Sequence, residues 1–416
     1  MCAFGVLTKP LIQSLRTTFA ALYHKNYRYW FIGQVISILG TFMQITAQGF
    51  LIYQLTRSPA YLGYVAFVAG VPAWFFNLYG GVVADRIPQR LLLLTTQSIM
   101  MLLAFILAAL TYCEIVQPWH ILVLAFCLGI ANSFDAPARH AFVAELVPRV
   151  DLGNAIALNS TIFNIGTTVG PSIAGMLYVW FGPAWCFFIN GLSFVAVLVA
   201  LAIMRLSSKI KIISTASARR EIILGLLFVW RHRVIRTLIL GIMAISFFGF
   251  AIITLMPAWA TEVLHGDART NGWLLTARGL GSLIGALMIA AYGRQVHRGR
   301  HLSMVIFILP IAQLVFSAAH ILSISLIFLL LTGWSVMIFM NMTNTVIQMN
   351  VADELRGRVL SIYTLSFFGM MPIGGLVVGA LATHIGVPIT IALCSIILLI
   401  YAILVRVYVP ELAKQQ

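Results

Sequence analysis

Two charged residues carry much of the chemistry that can be read in this 416-residue chain: Asp135 and, four positions on, Arg139. At that spacing both side chains fall on one helix face and can pair. They stand at the end of an apolar stretch, Trp119–Ala138, with Asp135 about 16 residues in, or roughly 24 Å along a helix. A carboxylate at that depth in lipid is expensive and marks a functional site by default. Three roles are open to Asp135: a salt bridge in a gate, a proton carrier, or an anchor at a helix end. Arg278, inside a later apolar run, is the other buried charge. No acid stands at matching depth, so Arg278 either faces a cavity and meets an anionic group or extends its head to the membrane surface.

Amides come next. Gln44 and Gln48 share a helix face at i,i+4, and Asn341, Asn344 and Gln348 share another at i,i+3 and i+7. Asn77, Asn164 and Thr254 add polar atoms to three more apolar runs. Such groups either line a substrate cavity or bond neighbouring helices, for about 1–2 kcal/mol each or less. Phe247, Phe248, Phe250 and Trp259 make an apolar cavity wall or face lipid. Other chemistry is not readable. The five cysteines are scattered without a CxxC pair, the nine histidines lack metal-ligand spacing, and no hydrolytic Ser–His arrangement or phosphate-cradling GxxxxGKS/T occurs. The expectation is no metal, no cofactor, no catalytic residue and no direct coupling to ATP.

The composition says what kind of element holds these side chains. The chain is 61% hydrophobic and 9% charged, with a mean hydropathy of +1.00, whereas soluble domains are about 45–50% apolar and about 25% charged. So little charge cannot cover a water-facing surface, and most of the surface must face lipid. Apolar runs long enough for a core of about 30 Å number twelve. The first six are Tyr29–Tyr53, Tyr61–Ala84, Leu91–Tyr112, Trp119–Ala138, Ala155–Trp180 and Pro183–Arg205. The next six are Thr237–Thr261, Gly272–Ala291, Leu302–Ala319, Ile321–Asn344, Val359–Thr383 and Val387–Val407. Spans in lipid must satisfy their own backbone, so the fold class is an all-α membrane protein.

Charge orients the spans. Of the 26 Lys and Arg, 23 fall on the side that holds both termini; Arg57 and Arg269 lie on the other, and Arg278 lies within a span. Basic connections stay cytoplasmic, so both termini are expected inside. The net charge of +15 is then directed at anionic lipid headgroups, not at nucleic acid. No cleavable signal peptide is expected, because the first apolar run is too long and many more follow.

The spans fall into two groups of six. Residues 1–28 form a cytoplasmic segment in which Ser14–Tyr23 reads as an amphipathic surface helix. A six-helix bundle follows at 29–205, then a basic cytoplasmic linker at 206–236, a second bundle at 237–407 and a tail at 408–416. The halves resemble each other at an offset of 204: Gly153, Gly170, Gly175 and Gly182 fall on Gly357, Gly374, Gly379 and Gly386. Internal repeats on this scale are what secondary transporters are built from.

Gly80-Gly81-Val-Val-Ala-Asp85-Arg86-Ile-Pro-Gln-Arg90 makes the turn between the second and third spans. It matches the GxxxDRxxxR signature of the major facilitator superfamily, lacking only the glycine usually found two residues after the Arg. A reduced copy follows the eighth span, with Gly281, Gly285, Arg294, Arg298 and Arg300. Four further stretches carry the resemblance: Asn26–Gln34 with Leu39–Gln44; Asn132–Pro148; Asn154–Asn159 leading to Gly170-Pro171-Ser-Ile-Ala-Gly175; and Leu355–Val359 leading to Gly369–Gly375. Taken whole, the chain resembles that superfamily. More narrowly, it resembles the branch of transmembrane secretion effectors that includes the enterobactin exporter and macrolide-efflux proteins.

The resemblance implies a 6+6 pseudo-symmetric fold that works by alternating access, its cavity lined mainly by helices one, four, seven and ten. It implies that Gly81, Asp85, Arg86 and Arg90 latch the cytoplasmic side of the outward-facing state. Asp85 would face the helix start near Val359, where the dipole favours a carboxylate by about 0.3–1 kcal/mol. Arg86 or Arg90 would meet Asp135 or Glu145, and Arg356 and Arg358 would add charge. Gly170, Pro171 and Gly175 resemble an antiporter-type bend, although Ala157 stands where one of its leading glycines would sit.

The expected function is a single-chain, monomeric exporter in a bacterial inner membrane. Its partners would be a small amphipathic molecule (drug-like or siderophore), protons that drive it with Asp135 as carrier, and anionic lipids. Two other readings stay open. An uncoupled facilitator or lipid flippase is favoured by the paucity of buried acids. A receptor or scaffold that transports nothing is disfavoured by the short loops.

Overall fold

A span in lipid becomes a helix because a helix pairs its own backbone, and helices joined by short connections make up the residues the structure describes. The structure, a computed structural model, describes residues 19–204, 226–292 and 298–411. The helices of the first half are α1 (Lys25–Thr56), α2 (Pro59–Arg86), α3 (Gln89–Tyr112), α4 (Pro118–Leu146), α5 (Leu152–Phe181) and α6 (Pro183–Ile203). Those of the second are α7 (Arg233–Val263), α8 (Ala268–Tyr292), α9 (Arg298–Ser317), α10 (Leu322–Asn350), α11 (Asp353–Ile385) and α12 (Val387–Tyr408). Eleven of these are long and apolar enough to cross a membrane, and the ninth is shorter, its apolar part being His301–Ser317. The expected spans are all present, most of them longer than their apolar runs; α4 runs eight residues past Ala138 to Leu146. Polar residues at helix ends belong to the helix but not to the hydrophobic signal, which explains the difference.

Short connections begin with residues suited to them. Pro59, Pro118 and Pro183 open α2, α4 and α6, where the missing N–H is not needed. Gly182 and Gly386 join α5 to α6 and α11 to α12 as single residues with φ of +87° and +84°, a region that a side chain disfavours. They occupy equivalent places in the two halves. Before α1, the described part of the expected surface helix is a one-turn 3-10 helix, Ala20–Tyr23. It docks on the start of α5, with the Ala21 N–H donating to Asn154 Oδ1 at 2.9 Å. Residues 14–18 and linker residues 206–225 lie outside the described residues.

α7 is the irregular element. A π turn at Ile245–Phe250 and a 3-10 segment at Ala251–Leu255 interrupt it. A π turn leaves carbonyls without their usual partner, and here Gln313 Nε2 of α9 donates to the Gly249 carbonyl at 2.9 Å. Ser246 Oγ donates to the Phe367 carbonyl of α11.

Two seams join the halves: α5 packs on α8, and α2 packs on α11. Both depend on bare backbone. A Cβ on Gly175 would lie 2.7 Å from the Ala268 carbonyl, and one on Gly379 would lie 2.8 Å from the Pro59 carbonyl. One on Gly272 would lie 2.5 Å from the Pro171 carbonyl, and one on Gly63 2.6 Å from the Gly375 carbonyl. These contacts map onto one another if α5 and α11 are offset by 204 residues and α2 and α8 by 209. The pseudo-two-fold axis therefore holds at the level of single backbone atoms.

Turns on the side with few basic residues form what we call the far end; those on the termini side form the basic end. At the far end one buried core draws on all twelve helices, from Met43 and Tyr53 through Trp259 to Val387 and Cys394. Toward the basic end the core divides. One cluster, including Trp30, Phe142 and Leu201, belongs to the first half, and another, including Ile235, Phe339 and Val359, to the second. Glycine contacts along the seams reach the middle of the helices, at Gly70 against Pro372, Gly369 against Trp74, and Gly279 against Thr167 and Thr168. The buried core is thus shared by the halves at the far end and divided between them toward the basic end.

Candidate transport site

Asp135 is fully buried on α4. Its carboxylate accepts from Arg139 Nε at 3.0 Å on the same helix and is also bonded by that guanidinium's Nη2. From α3, Thr96 Oγ1 donates to it at 2.9 Å and Gln97 Nε2 at 2.8 Å. Charge-assisted bonds of this kind are the strong ones, and they offset the cost of the buried carboxylate. The expected i,i+4 pair is therefore formed. Its hydroxyl and amide partners were not foreseen, because Thr96 and Gln97 look like any polar pair at the edge of a span.

This cluster borders a cavity of about 250 Å³ inside the first bundle, between α1, α3, α4, α5 and α6. Its polar lining is Ser37, Thr41, Gln44, Gln97, Asn132, Arg139 and Asn190, beside Phe42, Phe163 and Phe194. Gln44 accepts from Asn190 Nδ2 at 2.7 Å. Gln44 therefore lines this cavity and also bonds a neighbouring helix of its own bundle. Asn190, the single amide within the α6 run, was the available signal for this contact.

Arg278 lies half-buried on α8, its guanidinium carbon 4.4 Å from the centroid of the Phe250 ring of α7. Among the described residues no carboxylate pairs with it. Two of the other amides spend donors within their own helix. Asn164 donates to the Ser160 carbonyl and Asn341 to the Met337 carbonyl, each at 2.9 Å. Asn344 accepts from Gln348 Nε2 at 2.5 Å on its own helix. Gln48 is buried, Asn77 exposed, and Thr254 half-buried near Gly375 at the α2–α11 seam. Trp259 belongs to the far-end core, 4.4 Å from Phe316 between ring centroids, and not to a cavity wall.

Several charges of the basic end have partners within their own half in this conformation. Arg90 Nη2 donates to the Ala202 carbonyl near the end of α6 at 2.9 Å, so the implied Arg90–Asp135 contact is not formed. Arg86 and Glu145 are exposed. Arg356 pairs with Asp353 on its own helix at 2.5 Å, and Arg358 is half-buried two residues on. Gly81 and Asp85 are on α2, and the Asp85 side chain is outside what the structure describes. Gly170 packs against Phe42 of α1, while Pro171 and Gly175 meet α8 across the seam.

The far end holds contacts that motif reading missed. Tyr53 of α1 donates its hydroxyl to Glu262 of α7, directly bridging the halves. The backbone N–H of Ala60 donates to Thr383 Oγ1 at 2.9 Å, bridging α2 and α11. An acid on the last turn of a span facing a tyrosine was the signal for the first.

Twelve helices in two pseudo-symmetric bundles are the architecture of the major facilitator type. The chain belongs to the transmembrane secretion effector family, whose model matches residues 16–416. It is 26% identical over 375 residues to the staphyloferrin A transporter of Staphylococcus aureus (strain NCTC 8325 / PS 47), covering 89% of this chain and 92% of that one. It is 25% identical over 384 residues to the multidrug efflux pump Tap of Mycolicibacterium fortuitum, with 90% and 93% covered. With macrolide efflux protein A of Streptococcus pyogenes it shares 24% identity over 369 residues, 87% of this chain and 90% of that one. In fold it is similar to a bacterial homolog of the human lysosomal transporter Spinster in an inward-facing, unoccupied conformation. That likeness has a TM-score of 0.67 at 14% identity and covers 94% of this chain and 98% of the other. A POT family transporter in complex with a thioalcohol conjugated peptide gives 0.71 at 11% identity, with 93% and 96% covered. The protein is a multi-pass membrane transporter and not an enzyme, which removes the receptor or scaffold reading.

Proposed function

We propose that the protein exports small amphipathic molecules, drug-like compounds or siderophores, across a bacterial inner membrane by alternating access driven by protons. The observation that carries this is the divided core: one hydrophobic mass at the far end, two at the basic end. Basic connections favour the cytoplasm, so the parted end opens inward, both termini are cytoplasmic, and the protein is caught ready to receive cargo. Anionic lipids border that end, and one chain suffices as a monomer.

In the opposite state the basic end closes. Asp85, with Gly81 packed behind it, docks on the start of α11 beside Arg356 and Arg358. Arg86 and Arg90 draw toward Asp135, Arg139 and Glu145. The bend at Gly170, Pro171 and Gly175 lets α5 follow. Gln48, Asn77, Asn164, Thr254, Arg278, Asn341 and Asn344 are the polar atoms available to cargo along the way. Asp135 takes up a proton when Arg139 lets go of it. Everted vesicles with an imposed pH gradient test this: Asp135→Asn is expected to abolish gradient-driven uptake of a cationic dye at unchanged protein level. Unchanged uptake removes Asp135 from the coupling.

A second reading, an uncoupled facilitator or lipid flippase, is favoured by one observation. Asp135 already holds a full set of donors, leaving no idle acid among those placed in the membrane core. Collapsing the pH gradient during efflux separates the two: export that continues at the same rate supports the uncoupled reading.

A further inference from the structure

We propose that Arg278 and Phe250 form a subsite for a carboxylate on an apolar or aromatic cargo; this rests on the exporter reading above. Arg278 is ten residues into α8, about 15 Å from its start, which is the middle of the membrane. From there its side chain reaches neither surface, so snorkelling does not account for it. The Phe250 ring lies against one face of the guanidinium at 4.4 Å. That attraction is smaller than the cost of holding a guanidinium at mid-membrane. No carboxylate among the described residues pairs with it. Its nitrogens are absent from the sealed polar atoms that lack partners, and the residue is half-buried, so the head keeps an open edge.

The pseudo-symmetry shows that the scaffold does not need this charge. The backbone carbonyl of Arg278 abuts Gly333, and its counterpart in the first half, the carbonyl of Ala69, abuts Gly129 in the same manner. Packing there is satisfied by alanine, so the guanidinium is an addition to it. The surroundings suit an anion attached to a flat apolar body. Phe250 closes the π turn of α7 and meets Phe367 edge-on at 5.2 Å, which in turn meets Phe368 at 5.1 Å. A carboxylate takes the guanidinium fork in two parallel bonds, and the rings take the remainder.

The test is binding to the full chain in neutral-lipid nanodiscs, with empty discs as the blank. The probes are 1-pyrenebutyric acid and 1-pyrenebutanol, which differ in charge but share an aromatic body. The acid is expected to bind at least tenfold more tightly than the alcohol, with the ratio falling to about one in Arg278→Gln. In Arg278→Lys, which keeps the charge but not the fork, the ratio falls part-way, and this variant serves if Arg278→Gln does not fold. Equal affinities in the wild type, or an undiminished ratio in the variants, overturns the subsite while leaving the exporter reading in place. Binding of neither probe overturns both.

Discussion

At the residue scale, the Asp135–Arg139 pair shows how a membrane protein tolerates a buried charge. Four residues of spacing put the partners on one face, and two side chains from α3 complete the shell. Removing only the acid leaves a guanidinium without its anion. Asp135→Ala is therefore expected to destabilise the protein by roughly 1–3 kcal/mol, the cost of stranding a charged hydrogen-bonding group. Asp135→Ala combined with Arg139→Met is expected to recover part of that loss, because removing both partners is less harmful than removing one. Thermal unfolding of the two variants in detergent checks this; equal losses would mean the pair is not coupled.

At the element scale, the seams decide which end is closed. Pro171 and Gly375 offer carbonyls to Gly272 and Gly63 at distances that leave no room for a side chain. Gly272→Leu or Gly63→Leu is expected to wedge α5 from α8, or α2 from α11, at a cost of about 1–3 kcal/mol to the closed far end. That is enough to shift the balance of states about tenfold. Spin labels at positions 57 and 267, read by pulsed dipolar spectroscopy, are expected to gain a longer-distance population. An unchanged distribution would show that the seams do not control the far end.

At the scale of the whole molecule, Tyr53 to Glu262 and Ala60 to Thr383 are polar bonds that cross between the halves among the described residues. Tyr53→Phe keeps the packing and deletes the bond. It is expected to raise the far-end-open population about two- to tenfold, in line with about 0.5–1.5 kcal/mol for a hydrogen bond. The same pair of labels reports it. Glu262→Gln is expected to act in the same direction, and a shift toward closure in either variant would rule the contact out as a latch.

The sequence by itself determined the solvent, the helices and their number, because a chain with so little charge must face lipid and lipid permits little besides helices. It also made the α5–α11 repeat and the pairing of Asp135 with Arg139 legible, since both follow from spacing along one chain. Tertiary structure alone decided the rest. Which cavity Gln44 lines, and that Asn190 bonds it there, is set by packing, as is the place of Trp259 in the core. Asn164 and Asn341 turned back on their own helices. The α2–α8 equivalence shows in the sequence only as the reduced signature after the eighth span, because its offset differs by five residues from that of α5 and α11. An amide or a ring within an apolar run reads the same whichever way it points, and only the angle at which helices pack fixes what it meets.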